Sequence, residues 1–203
     1  MNTPRSVSIV VLFSISIHVV ADTHALRNWE SYPDFTTFRT EAGRNENFTS
    51  VCETGRPTRE MVSFMNDKKW SDAVAIGLSW LESCPVDIRI HYYTAISLDE
   101  LGREPESEVH FRWVDGLLES ILVTGDGETE ATAYVTISVT EEYDVLYLAN
   151  LKPTNQALLQ GKTLLDVFTA ENEEGKEYTI YFNPVAHFNR LDNLLKEIPD
   201  NTE

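Results

Sequence analysis

The chain holds 203 residues, with 33 Asp and Glu against 16 Lys and Arg, a formal net charge of −17 at pH 7. So acidic a surface repels phosphate backbones and anionic headgroups, whose affinity comes mainly from Lys and Arg displacing counterions; nucleic acid is therefore excluded as a partner. A hydrophobic share of 42% with four Trp is enough for a packed core and excludes a disordered chain.

Arg5 precedes an uncharged apolar stretch from Val7 to Val20, followed by two small-residue exits, Val19-Val20-Ala21 and Thr23-His24-Ala25. This is the layout of a secretory signal peptide, residues 1–21, and predicts export to the periplasm or the exterior. The stretch is shorter than the roughly 20 apolar residues a bilayer span needs, so no stable span is expected after cleavage. Two cysteines remain, Cys52 and Cys84. An oxidising compartment would allow a disulfide between them, worth roughly 3–4 kcal/mol for a loop of that size; the alternative is two buried free thiols.

Residues 26–56 form a polar, aromatic lead-in with a short helix expected over Tyr32–Ala42, packing on the body through Trp29, Tyr32 and Phe35. Residues 57–122 are helical in pattern from Arg59 onward. Trp70, Ala73, Gly77, Leu81 and Cys84 recur at spacings of three and four until Pro85 stops the helix. A second helix runs from Val86 to Leu101 and ends at Gly102, and a third carries Val109, Trp113, Gly116, Leu117 and Ile121. The small residues Ala73, Gly77 and Gly116 predict close helix approaches, and connections of two or three residues predict antiparallel neighbours. Lys69 to Ala73 with Leu81 and Pro85, then Leu98 to Arg103 with Glu106 to Leu118, resemble two tetratricopeptide hairpins. Two such repeats cannot close a solenoid, so another element must cover the open face.

That cover is expected from residues 123–198, where the period changes. Ala133, Val135, Ile137 and Val139 alternate with polar partners and predict a half-buried strand. Glu141–Leu151 reads as a short helix with Tyr143, Leu146, Tyr147 and Leu151 on its apolar side. Strands are predicted over Thr163–Thr169 and Glu177–Phe182, joined by a turn at Glu173–Lys176, and a last helix over Pro184–Ile198. The predicted fold class is α+β: tetratricopeptide-like helical hairpins packed against a small, mainly antiparallel sheet.

Few motifs suggest chemistry. Gly125-Asp126-Gly127 reads as a tight turn; as a calcium loop with Glu128 and Glu130 it fails, because Ala131 and Ile137 occupy the required Gly and Glu positions. Gly161-Lys162-Thr163 lacks the earlier Gly of a phosphate loop, and Gly77-Leu78-Ser79-Trp80-Leu81 lies inside a helix rather than on a nucleophile elbow. His91 and His110 fall on adjacent helices and could meet, with Glu104, Glu108 or Asp115 nearby; His187 is a third body histidine. Glu141 and Glu142 suit the positive end of a helix dipole. No cofactor or metal site is expected.

Ser120-Ile121, Gly125-Asp126-Gly127, Tyr134 to Val139, Glu141-Glu142-Tyr143, Gln156-Ala157-Leu158 and Tyr181-Phe182-Asn183 carry a further likeness, with His91-Tyr92, Gly102 and His110 upstream. In these the chain resembles a bacterial exported family known as domain of unknown function four-nine-one-nine, over about Tyr32 to Leu195. The resemblance implies export and architecture, and no catalytic or binding residue. The expected role is a non-enzymatic module binding a protein or peptide. The alternatives are a hydrolase using His91, His110, Asp126 and Glu142 in a crevice between the two parts, or a small-ligand or cation-binding protein.

Overall fold

The computed structural model describes residues 29–161 and 163–197. The expected signal peptide, the first residues of the lead-in, Lys162 and Ile198 lie outside the described residues. Seven α-helices and a four-stranded sheet follow among the described residues: α1 (Phe35–Arg44), α2 (Thr58–Asn66), α3 (Trp70–Ser83), α4 (Ile88–Glu100), α5 (Glu104–Leu122), β1 (Tyr134–Val135), α6 (Val139–Leu148), β2 (Lys152–Gln160), β3 (Leu164–Glu171), β4 (Glu177–Asn183) and α7 (Val185–Glu197). The fold is α+β.

Local chemistry sets the helix ends. Asp34 accepts from the Thr37 N–H and starts α1 three residues later than the aromatic pattern suggested. Asp87 accepts from the Ile90 N–H and starts α4, and Gly102, at φ 71°, ends it. Helices α2 to α5 pack each upon the next. A methyl on Gly77 would strike Thr94 and Met61, and one on Gly116 would strike the Phe35 ring, so these two glycines set the closest helix approaches. The lead-in lies on this layer: Trp29 accepts the Trp113 indole N–H at its carbonyl, 2.9 Å, and Phe35 meets Trp113 edge-on with centroids 5.1 Å apart.

The sheet has the order β1-β4-β3-β2. β2–β3 and β3–β4 are antiparallel and β1–β4 is parallel, so the sheet is mostly antiparallel. The β3–β4 turn falls where the sequence placed it, with Gly175 at φ 74° and the Lys176 N–H bonded to the Asn172 side chain. One hydrophobic core runs from Trp29, Met61, Leu81 and Trp113 through Ile137 and Leu146 to Phe168 and Phe182. The helical layer and the sheet therefore share their buried face.

Two expectations change. The strand predicted through Val139 stops at Val135, because Ser138 caps α6 by accepting from the Glu141 N–H, and Val139 already belongs to that helix. Thr136 and Ser138, expected on a wet face, are buried. β2 was not expected at all. Pro, Asn and Gln are poor strand formers, and an edge strand exposed along both faces shows no alternation.

Cys52 lies in a π-helical turn, Thr49–Glu53, and Cys84 follows α3; their Cα atoms are 5.2 Å apart and the sulfurs are bonded. Reduction, or Cys52→Ser with Cys84→Ser, is expected to lower unfolding free energy by about 3 kcal/mol, since the bridge restricts a loop with a sequence separation of 32. A thiol titration of denatured, unreduced protein should find no free group. Gly77→Ala is expected to destabilise by about 1–3 kcal/mol in urea unfolding despite alanine's better helix propensity, because Thr94 is buried and cannot yield.

Candidate functional site

The first turns of α6 place Glu141, Glu142 and Asp144 in the interior, all under 5% exposed. A buried carboxylate must be paired or neutralised, and each of these solves the problem differently. Glu141 Oε2 accepts from Arg39 Nη1 at 2.9 Å and from the Ile137 N–H at 2.8 Å. Arg39, itself buried in α1, also donates to Ser120 Oγ and the Ser120 carbonyl of α5. Asp144 pairs with Arg56 at 2.6 Å and Arg89 at 2.7 Å. Arg56 in turn holds Asp87, 2.5 Å away, which also accepts the Trp80 indole N–H. Burial pushes Asp144 up to about 6, against the pull of Arg56 and Arg89, so it is charged at neutral pH.

Glu142 has no arginine. It accepts from the Thr136 hydroxyl at 3.2 Å and faces Asp166 of β3. Burial, and then the Asp166 charge, push Glu142 up to about 10, so it is protonated at neutral pH. A folded value above the unfolded 4.5 means that its contribution to stability is complete below pH 4.5 and is lost as the pH rises towards 10. Unfolding free energy is therefore expected to fall as the pH rises from 4.5 through neutrality towards 10, and Glu142→Gln to flatten that fall. Urea titrations at pH 7, 8 and 9 check it; equal slopes in the two proteins would count against a protonated Glu142.

The histidines of α4 and α5 do meet. His91 Nδ1 and His110 Nδ1 are 2.9 Å apart, and His91 Nε2 lies 3.1 Å from the Pro85 carbonyl. The carbonyl can only accept, so the His91 proton sits on Nε2, and His110 Nδ1–H donates to the bare His91 Nδ1. His110 Nε2 is left a buried acceptor with no hydrogen-bond partner. Trp29 meets His91 edge-on and Trp113 stacks on it, closing the pair from water. Burial pulls His110 down to about 4 and His91 well below its ordinary range, so both are neutral. Glu106, rather than Glu104, Glu108 or Asp115, is the carboxylate whose charge is felt at His110.

The other residues singled out in sequence lie elsewhere. Asp126 caps its own exposed turn, accepting from the Glu128 N–H and the Thr132 hydroxyl. His187 lies 3.8 Å from Glu53. Of His91, His110, Asp126 and Glu142, the structure joins only the two histidines; Asp126 and Glu142 have separate partners. Among the described residues no group of three or more His, Cys, Asp or Glu is arranged to hold a metal ion, and no helix is long and apolar enough to cross a membrane.

Surface hollows are also present among the described residues. One, about 540 Å³, lies between Arg89, Tyr143 and Tyr147 on one side and Lys152, Pro153 and Glu171 on the other. Its wall side chains contact their neighbours: Arg89 lies 4.1 Å from the Tyr147 ring centre, and the Tyr143 hydroxyl donates to Gln156 at 2.7 Å. The periodicity of α6 put these tyrosines on its apolar side with Leu146, yet they are 39% and 42% exposed where Leu146 is buried. The second hollow, about 560 Å³, lies between α1, β1 and α7 and is lined by Arg39, Arg44, Arg190, Asn47, Asn189 and Asn193 among others. The sequence pointed to neither, because each wall comes from segments far apart in the chain.

No curated protein and no solved structure matches the chain. A family profile does match, over residues 57–191, a span that contains the Gly125-Asp126-Gly127 turn, the α6 carboxylates, both paired histidines and the β4 Tyr181-Phe182-Asn183. With two thirds of its length covered by that profile, the chain belongs to the family described as Domain of unknown function (DUF4919).

Proposed function

We propose that this protein is exported to the periplasm or the exterior and there binds another protein or a peptide in the hollow beside α6. The observation that carries this reading is the wall formed by Tyr143, Tyr147 and Arg89. Tyrosine and arginine are the side chains that most often dominate binding at protein interfaces. Here contacts with neighbours restrict them beforehand, so less side-chain freedom is lost when a partner arrives. The repeat-like succession of α2 to α5 suits the same role. Export is supported by Arg5, the Val7–Val20 stretch and the Ala21 exit, and by a cysteine pair suited to an oxidising compartment. A hydrolase finds little support, since His91, His110 and Glu142 are sealed from solvent.

A small-ligand role has one observation in its favour, the hollow between α1, β1 and α7. Arg39 and Arg190 in its wall are held by Glu141, Ser120 and the Gly43 and Ile137 carbonyls, so Arg44 and the asparagines are the side chains that would meet a polar ligand. A thermal shift with small carboxylates but not with calcium would favour it.

Two experiments test the main reading. N-terminal sequencing of the protein from an extracytoplasmic fraction should begin at Asp22 or Leu26; a chain retained in the cytoplasm with Met1 intact would defeat export. Peptides selected from a display library against the protein should bind Tyr147→Ala and Tyr143→Ala at least about tenfold more weakly, a loss of roughly 1.4 kcal/mol. Unchanged binding by both variants would remove the groove from consideration.

A further inference from the structure

β2 is the outer strand of the sheet, paired with β3 on one side only, and seven of its nine residues are exposed. Edge strands are ordinarily guarded by Lys, Pro, bulges or charges, because unpaired N–H and C=O groups invite another strand. In β2 these guards all stand at one end: Lys152, Pro153 and a register shift between Pro153 and Asn155. From Gln156 to Gln160 there is no charge, no proline and no shift in register, and Leu158 is half exposed.

Charge indicates which strand fits there. The chain has 33 acidic residues, yet none lies between Val145 and Leu165. An edge built to capture a basic segment would carry carboxylates, and this one carries none. Two copies, each at −17, repel one another over most of their surfaces, and an acid-free strip is where they can touch. Antiparallel pairing about Leu158 would set Gln156 against Gln160 of the second copy and Ala157 against its Leu159, with no like charges opposed.

We propose that β2 pairs antiparallel with β2 of a second copy of this chain through Gln156–Gln160, joining the two sheets into one. The contact is small, so the dimer forms at about 100 µM chain and strengthens as added salt screens the mutual repulsion. This does not rest on the tyrosine groove, and either can fail alone.

Sedimentation velocity on the full chain tests it, using wild type, Ala157→Glu, Ala157→Lys and an equal mixture of the two variants. Ala157 is exposed, so neither substitution disturbs the core. The wild type should dimerise, each variant should associate at least about tenfold more weakly, and the mixture should recover because residues 157 of the two copies are diagonal neighbours on one face, where long side chains of opposite charge reach each other. Amide hydrogen exchange on the wild type needs no variant: the 156–160 segment should slow as concentration rises. A wild type that stays monomeric to about 500 µM in high salt would overturn the proposal. So would a dimer that both variants keep, or concentration-dependent protection that spares 156–160.

Discussion

Burying three acidic side chains on the first turns of one helix is costly, and the rest of the structure is arranged around meeting that cost. Glu141, Glu142 and Asp144 leave water together when α6 packs between the helical layer and the sheet. Removing a carboxylate from water costs several kcal/mol unless charge and hydrogen bonds replace the lost hydration. The replacements come from far away in sequence, Arg39 in α1, Arg56 ahead of α2 and Arg89 in α4, while Glu142, which faces Asp166 of β3, gives up its charge instead. Each contact needs a different element in its native position. The seam therefore specifies the docking of the two parts more than it adds net stability, since buried ion pairs roughly offset their own desolvation.

The same seam explains why the conspicuous polar residues make poor candidates for chemistry. A side chain bonded inside the protein, or shut away from water, cannot reach a substrate. Arg39 bonds to Glu141 and Ser120, Asp87 to Arg56 and Trp80, and the two histidines bond to each other under a pair of indole rings. What faces water is of another kind: half-exposed tyrosines, a polar hollow and a strand edge guarded at one end only. The proposed recognition role rests on these surface features.

Net charge acts on that surface selectively. At −17 most of the exterior discourages contact with other acidic molecules, including copies of the same chain. The long acid-free window over the end of α6, β2 and the start of β3 breaks this pattern at an edge strand with seven of its nine residues exposed. Such local relief from a global repulsion cannot be read from composition. It becomes visible only when sequence position is converted into place on the sheet.

The sequence by itself determined the elements whose signals are local. Pro85 and Gly102 mark helix boundaries, the small residues Gly77 and Gly116 mark close helix contacts, and the Glu173–Lys176 turn and the period of β3 and β4 mark a hairpin. Those features depend on backbone preferences and on neighbours within a few residues. Tertiary structure alone decided three others: that Thr136 and Ser138 are buried, that Glu142 faces Asp166 without a cation, and that the polar segment Lys152–Gln160 is a strand. Carboxylates at a helix start look the same in sequence whether they meet water or the core, and an edge strand takes its conformation from the partner it pairs with rather than from its own residues.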